Sequence, residues 1–593
     1  MQDFRKDTMY FIVVDRFFDG DTQNDHGKNP AQFDPERKNW MMYWGGDLEG
    51  IIQKMDYIAG LGASAVWITP VFDQIDDVIG EDGKKMAPYH GYWAQDFKRI
   101  DEHLVDRPDD VRVFSRNDTV FDRMVAEMHR RGIKLVLDIV CNHSSPHVVG
   151  GTGDVFDDGV RIASYDEDLH GWYHRAGEVR DWRNLQQVQD GDLCGLSDFN
   201  EESHDYRSYI KEAMRMWLDK GTDAFRVDTV KHMPMWFWQE FTSDMRRHSP
   251  DMFMFGEWFM GGAYDGDSVR FARSSGMSMI DFSLRQAMEE VFARDVYRGF
   301  DQLADLFKQD HLFLTASELV TFVDNHDLPR FLSIKNDPAR FRMANALVMT
   351  ARGIPCIYYG TEQLLHDDAG GGNDPYNRPM MASWDTTAPL YRDLRALADL
   401  RRRNVAVQKG GMFVRQVTPD VFIFARRYMG SSVVVAMNKG NPAVVSADAL
   451  PLADATYACV LTGRKVAARD GMVKFDLGKN DVWVLEQTVP PPKGNTVCEF
   501  QLNGISTQFG EDIFLTGDCP ELGEWDIGHA VKMEYVNQNT WCVDVPFNIS
   551  CDNEVAYKFF LKSQGGIQRE NALPRVRAIP PAGTARFRDD WTR

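Results

Sequence analysis

Four stretches of the chain set carboxylates and histidines at the ends of apolar runs: "DIVCNH" (138–143), "AFRVDTVKH" (224–232), "GEW" (256–258) and "VDNHD" (323–327). In the second, Arg226 stands two residues before Asp228, and alternation along a strand turns such side chains to one side. A buried ion pair would explain one cluster of this kind. Four of them ask for chemistry, and the carboxylates say which. Asp228, Glu257 and Asp327 in one pocket would raise a pKa and leave a proton donor beside an ionised partner. An acid and a nucleophile are what glycoside cleavage with retention needs, with carboxyl groups about 5 Å apart.

Bringing these ends together calls for parallel strands. Eight apolar runs recur, each followed by a helix-like segment: "MYFIVVDRF", "AVWITPVF", "KLVLDIVCNH", "DAFRVDTVKH", "MFMFGEW", "SMIDFS", "LVTFVDNHD" and "IPCIYYGTE". Amphipathic helices are expected at 116–131 and 203–220. The alternation predicts an α/β fold, a (β/α)8 TIM barrel over 1–142 and 199–404, with its chemistry at the C-terminal strand ends. The Gly-, Asp- and Trp-rich stretch 143–198 reads as an inserted subdomain B after the third strand. Short alternating strands predict an antiparallel β-sandwich domain C over 405–487. "TVPPPKG" (488–494) reads as a stiff linker, and 495–593 as a second all-β unit expected to fold on its own.

The 593 residues, 43% hydrophobic and 12% aromatic, can bury several cores. A formal net charge of -22 argues against nucleic acid or an anionic membrane as partner, and a neutral polymer fits better. No apolar run is long enough for a membrane helix. A strand-like run almost at the start leaves no signal peptide, so the chain reads as cytoplasmic or as a mature secreted form. Cys498, Cys519, Cys542 and Cys551 crowd the C-terminal end, which hints at disulfides, with free thiols nearly as good a reading.

Taken in order, the four motifs, with "LSDFN" in the insert and "YHGYW" after the second strand, resemble the α-amylase family (glycoside hydrolase family thirteen), most of all its cyclodextrin glucanotransferase branch. The resemblance runs from Met9 to about Glu486. It implies Asp228 as nucleophile, Glu257 as general acid/base and Asp327 as a carboxylate gripping sugar hydroxyls, with Arg226 orienting Asp228. His143 and His326 would bond the reacting ring, Tyr92 would stack on it, and His90 would line its pocket. Lys231 and His232 fall on the leaving-group side, and Asp374 and Arg378 match a clamp further along the donor side. The family commonly binds calcium. Asn142, Asp198 and the carbonyls of Gln189 and His232 match one site; Asp19, Asp21, Asn24, Asp25, Gly45 and Asp47 match a second.

The tail resembles a family-twenty starch-binding module through "LTGDCPELGEWD" and "VAYKFFLK". Trp525 and Lys558 match its first site, where Arg569 replaces a second tryptophan; Phe509 and Tyr535 align with a second site. Starch and maltooligosaccharides are therefore the expected partners, bound by a secreted monomer. Cys194 stands where glucanotransferases carry a central aromatic, and an immunoglobulin-like domain of that branch is missing. Trp182 and Phe259 align with acceptor-side aromatics. The expectation is a retaining endo- or oligosaccharide-forming α-amylase with transglycosylation as a side activity. The alternatives are a cyclodextrin or 4-α-glucanotransferase and, more remotely, a starch-binding protein without catalysis.

Overall fold

A computed structural model of the chain describes residues 3–80, 85–147, 152–549 and 553–592. Eight parallel strands form one sheet: β1 (Met9–Ile12), β2 (Ala65–Ile68), β3 (Lys134–Ile139), β4 (Ala224–Val227), β5 (Phe253–Gly256), β6 (Ser278–Met279), β7 (Val320–Phe322) and β8 (Ile354–Tyr358). They neighbour one another in chain order, β1 pairs with β8, and a bridge from Ile280 to Val320 links the β6 and β7 ends into a barrel. All eight runs read from the sequence are strands of this barrel. Each is short and apolar because it is buried on both faces, by the barrel interior and by the helices outside.

Two helices show how the chain is returned between strands. α1 (Val120–Arg130) opens on a reciprocal cap between Thr119 and Asp122 and buries Phe121, Met124, Val125 and Met128 along one face. α2 (His204–Asp219) is capped by Ser203 and buries Tyr206, Ile210, Ala213 and Trp217. The sequence placed both helices within a few residues of these ends.

The insert is less separate than its composition implies. Its hairpin, Val155–Asp157 and Val160–Ala163, extends a sheet begun by Phe72–Gln74 and Ala94–Ile100 in the segment after β2. Its two ends are zipped together where His143–Pro146 pairs with Leu196–Asp198. Beyond the barrel, Val405–Lys409 is one further helical turn capped by Asn404, and the strands of domain C begin at Gly411. Two four-stranded antiparallel sheets then enclose a core including Ile423, Val434, Phe475 and Trp483.

The tail forms two more sheets around its own core of Phe500, Leu515, Trp541 and Tyr557. Its linker does not hold it at a distance. Glu499 accepts from Arg5 Nη1 at 2.9 Å and pairs with Lys409 at 2.8 Å. Arg586 and Arg588 both reach Glu318, the latter at 2.7 Å. The Tyr428 hydroxyl donates to Asp544 at 3.0 Å, and Gln501 Nε2 to the Leu314 carbonyl at 2.7 Å. Arg5 and Glu318 precede β1 and β7, so the tail is seated on the N-terminal face of the barrel, opposite the carboxylates. The tail keeps a core of its own and is docked on the barrel by these contacts, where the linker alone suggested a spacer.

The seven described cysteines are unpaired; Cys551 lies outside the described residues. Among the described residues no helix is long and apolar enough to cross a membrane.

Candidate active site and calcium centres

Strand register brings the carboxylates together. Arg226 lies beside Asp138 of β3 and Phe255 of β5, and the chain continues one residue past each strand to Asp228 and Glu257. The Asp228 amide donates to the Ile139 carbonyl (2.9 Å) and the Glu257 amide to that of Val227 (2.8 Å), which fixes both at one level. The fully buried Arg226 then serves three acids at once. Its Nη1 donates to Asp138 Oδ1 (2.8 Å) and Asp228 Oδ1 (2.7 Å), while Nη2 pairs with Glu257 Oε2 at 2.8 Å. Asp228 and Asp327 lie near enough for their charges to act on Glu257. Burial pushes its carboxyl well above the usual carboxylate range, and Asp327 and Asp228 add to the rise against the pull of Arg226.

An aromatic wall stands beside this cluster. The Tyr92 hydroxyl donates to Asp138 Oδ2 (2.9 Å), so His326 Nε2, 2.8 Å away, is the donor to the hydroxyl oxygen. The rings of Tyr92 and His326 are stacked with centroids 5.4 Å apart, and those of His90 and Tyr92 with centroids 5.7 Å apart. Burial holds the His326 and His143 imidazoles below their ordinary range and so neutral. Both are buried, and the second nitrogen of His326 (Nδ1) and Nε2 of His143 lack a protein partner. Neutral imidazoles with a free position suit sugar hydroxyls, which both give and accept hydrogen bonds.

The predicted flanking residues separate into two sides. On one, Arg378 Nη1 pairs with Asp374 at 3.1 Å while Nη2 faces Asp327 at 3.7 Å. On the other, the Trp182 ring meets that of His232 edge-on at 6.0 Å; Trp182 and Phe259 are each about half exposed. Lys231 is part-buried on the same turn. Cys194 is exposed and sits in a left-handed turn at φ 53°. Sequence reasoning left two positioning groups unassigned. Trp67 Nε1 donates to Asp138 Oδ2 (3.0 Å), and Asn377 Nδ2 and Arg378 Nε hold the His326 carbonyl at 2.7 and 2.8 Å. The Asn-Arg pair in "NDPYNR" was the available signal; nothing in the sequence marked Trp67.

Both expected calcium centres hold buried oxygens without a protein partner. In the acidic loop, Asp19 Oδ1, Asn24 Oδ1 and Asp25 Oδ1 are buried without a partner. A Cβ on Gly45 (φ 93°) would lie 2.5 Å from Asp25 Oδ1, so only glycine leaves the cradle open. Burial, Asp19 and Asp47 push the Asp25 carboxyl up to about 7, a crowding of charge that a hard cation would relieve. Asp47 closes the loop by accepting from the amides of Gly20, Asp21 and Gly50. Asp21 is part-exposed beside it. At the insert, Asp198 accepts from Asn142 Nδ2 (2.9 Å) and His174 (2.7 Å), leaving Asn142 Oδ1 orphaned. The helix carrying Gln189 packs on the turn that carries His232. Chelation is expected to lower Tm by several degrees, since a cation held only by the folded chain stabilises it by mass action. An unchanged Tm together with no metal by elemental analysis would remove both centres.

In the tail, Trp525 is exposed at φ 63° and its amide donates to the Gly517 carbonyl at 2.7 Å. Lys558 lies opposite Thr516 on the adjoining strand, and the side chain of Arg569 is exposed. Phe509 is fully exposed. Tyr535 is not a free platform, because its ring sits half-buried between Trp541 (5.4 Å) and Phe413 of domain C (6.0 Å).

A family model described as "Alpha amylase, catalytic domain" matches residues 11–393. The chain belongs to the α-amylase family. A second model, "Starch binding domain", matches 495–584. A cyclomaltodextrin glucanotransferase of Klebsiella oxytoca is 32% identical over 583 residues, covering 91% of this chain and 87% of the relative. One from Bacillus licheniformis is 30% identical, covering 100% and 94%. Among solved structures, a cyclomaltodextrin glucanotransferase with a three-domain ABC distribution is 37% identical at TM-score 0.77, covering 82% of this chain and 99% of that one.

Proposed function

We propose that this α-amylase-family enzyme is a glucanotransferase of the cyclodextrin-forming kind, acting on α-1,4-glucans by double displacement with retention. One observation carries the double displacement: a single guanidinium, that of Arg226, bonds Asp138, Asp228 and Glu257 together. One guanidinium bonding Asp228 at 2.7 Å and Glu257 at 2.8 Å holds the two carboxyls close, which suits the short separation of a retaining enzyme. In this reading Asp228 attacks the anomeric carbon while Glu257 protonates the leaving oxygen. Glu257 then takes the proton of the incoming hydroxyl as the glycosyl ester on Asp228 opens. Asp327 and the neutral His143 and His326 hold the ring's hydroxyls, and Tyr92 stacks on it. Asn142, Asp198, Gln189 and His232 would hold one calcium ion and the acidic loop another, each tying segments together as a structural ion.

Transfer is favoured over the hydrolysis expected from the sequence. The relatives carry the glucanotransferase name over nearly the whole chain, and one has only domains A, B and C, so the missing extra domain does not argue for hydrolysis. The half-exposed Trp182 and Phe259 offer apolar faces to a sugar acceptor in place of water. Hydrolysis keeps one supporting observation, the small Cys194 at the aligned hub. A starch-binding module suits a polymer met outside the cell, and in this reading Trp525 and Lys558 grip glucan there.

The test is incubation with amylose, resolving cyclic from linear glucans and counting new reducing ends. Cyclic or re-ligated products with few reducing ends are expected. Linear products alone, one reducing end per bond broken, would return the reading to hydrolysis. Cys194→Tyr is expected to raise the cyclic-to-linear ratio severalfold, because a ring at the hub keeps the distal glucan end near the intermediate and raises its effective concentration. An unchanged ratio in a folded variant would take Cys194 off the glucan path.

A further inference from the structure

Between the two members of the Asp374–Arg378 pair stands Tyr376, whose ring meets Trp40 edge-on with centroids 5.1 Å apart. Trp40 rests on the buried Trp44 at 4.9 Å, and its carbonyl accepts from Arg16 Nη2 at 2.8 Å. Arg16 lies between the rings of Trp44 (4.0 Å) and Tyr89 (3.8 Å), and Tyr89 accepts from Arg378 Nη1 at 3.2 Å. Trp40, Tyr376 and Arg378 therefore belong to one fixed block. The block begins at Asp327, which Arg378 faces, and leads outward past the half-exposed Asp374. Gly370 lies against the Tyr376 ring so closely that a Cβ there would come within 2.8 Å of it. Both Trp40 and Tyr376 remain part-exposed.

We propose that Trp40 and Tyr376 form a sugar-stacking platform beyond the Asp374–Arg378 pair, gripping the non-reducing part of a long α-1,4-glucan. The inference rests on the α-glucan reading above. A pyranose presents an apolar face, and aromatic rings already locked by Trp44, Arg16 and the Gly370 loop lose little freedom when a sugar covers them. A rigid, part-covered pair at the outer end of a chain of polar contacts to the reacting site is placed to read donor length.

The test compares maltotriose with maltoheptaose as donors for the wild type, Trp40→Ala, Tyr376→Ala and Trp40→Phe. Binding of both sugars is measured in parallel by calorimetry in a Glu257→Gln background. Loss of either ring should lower kcat/KM for maltoheptaose about three- to tenfold relative to maltotriose, the range that ring stacking supplies. It should weaken maltoheptaose binding in the same ratio, and Trp40→Phe should restore most of both. Equal losses for the two donors would mean a packing role and overturn the proposal, as would no loss for either. In both cases the glucan reading stands on the wild-type activity. A wild type that neither binds nor turns over any maltooligosaccharide would instead overturn the glucan reading and the platform with it.

Discussion

Glu257→Gln lowers kcat on α-1,4-glucans at least a hundredfold, the contribution expected of a positioned acid, and Asp228→Asn lowers it at least as far. Each amide keeps the shape of the acid and an oxygen able to accept from Arg226, so the three-carboxylate cluster stays assembled. What is lost is the proton in one case and the nucleophilic oxygen in the other. The pH dependence separates this from a general defect. Burial and the charges of Asp327 and Asp228 raise Glu257, so wild-type activity should persist to a pH above the ordinary carboxylate range. Asp327→Asn removes one charge that raises it and should move the alkaline limb of kcat/KM to lower pH. A raised acid also binds its proton more tightly in the folded chain than in the unfolded one. Its contribution to stability is full below the unfolded pKa and is lost as pH rises through the folded one. Glu257→Gln, freed of that ionisation, should therefore melt no lower than the wild type at alkaline pH. Measuring kcat, the pH profile and Tm on the same proteins checks all three. A variant retaining more than a tenth of the activity would dismiss Glu257 as the acid.

Most of the barrel was legible because its signal is local. A strand buried on both faces must be a short apolar run, and the residue ending it is polar because it faces the cleft. The pairing of Arg226 with Asp228 followed from side-chain alternation alone. That the same guanidinium also holds Glu257 did not, because it depends on how β4 and β5 register, and a single strand does not state its partner's offset. Trp67 was missed for the same reason: an apolar-run tryptophan gives no sign that its Nε1 reaches Asp138. Residue type likewise could not separate Phe509, which is bare, from Tyr535, which is wedged against Phe413. The seating of the tail was invisible for a different reason. Arg5, Glu318, Glu499 and Arg586 lie in four distant segments, and each alone reads as an ordinary surface charge. The proline-rich stretch spoke for separation, yet composition sets only how stiff a linker is, not whether the surfaces it joins are complementary.

That seating predicts that Glu499→Ala destabilises the whole enzyme by about 1–3 kcal/mol, the cost of taking one of two counter-charges from the buried Arg5, which keeps Asp3 at 2.8 Å. Arg5 is buried at 2% exposure and would face Lys409 and Arg586 with one counter-charge fewer. Ending the chain after Thr488 should cost less than the sum of such substitutions, because removing the tail returns Arg5 and Glu318 to water instead of stranding them. The point variant should thus rival a deletion of about a hundred residues, an ordering opposite to that expected of two units joined by a spacer. The network also sets a pH window. Burial alone would raise Glu318, but Arg586, Arg588 and Arg5 around it bring its carboxyl down to about 2. A depressed carboxylate stabilises above its unfolded value of 4.5 and loses that contribution as pH falls towards 2, a difference on the order of 3 kcal/mol. Calorimetry at neutral pH should show barrel and tail melting in one transition, with the tail released first as the pH falls below about 4. Glu318→Gln should remove that acid step while lowering the neutral Tm. Two transitions at neutral pH, or a Glu499→Ala variant as stable as the wild type, would mean that these ion pairs do not couple the tail to the barrel.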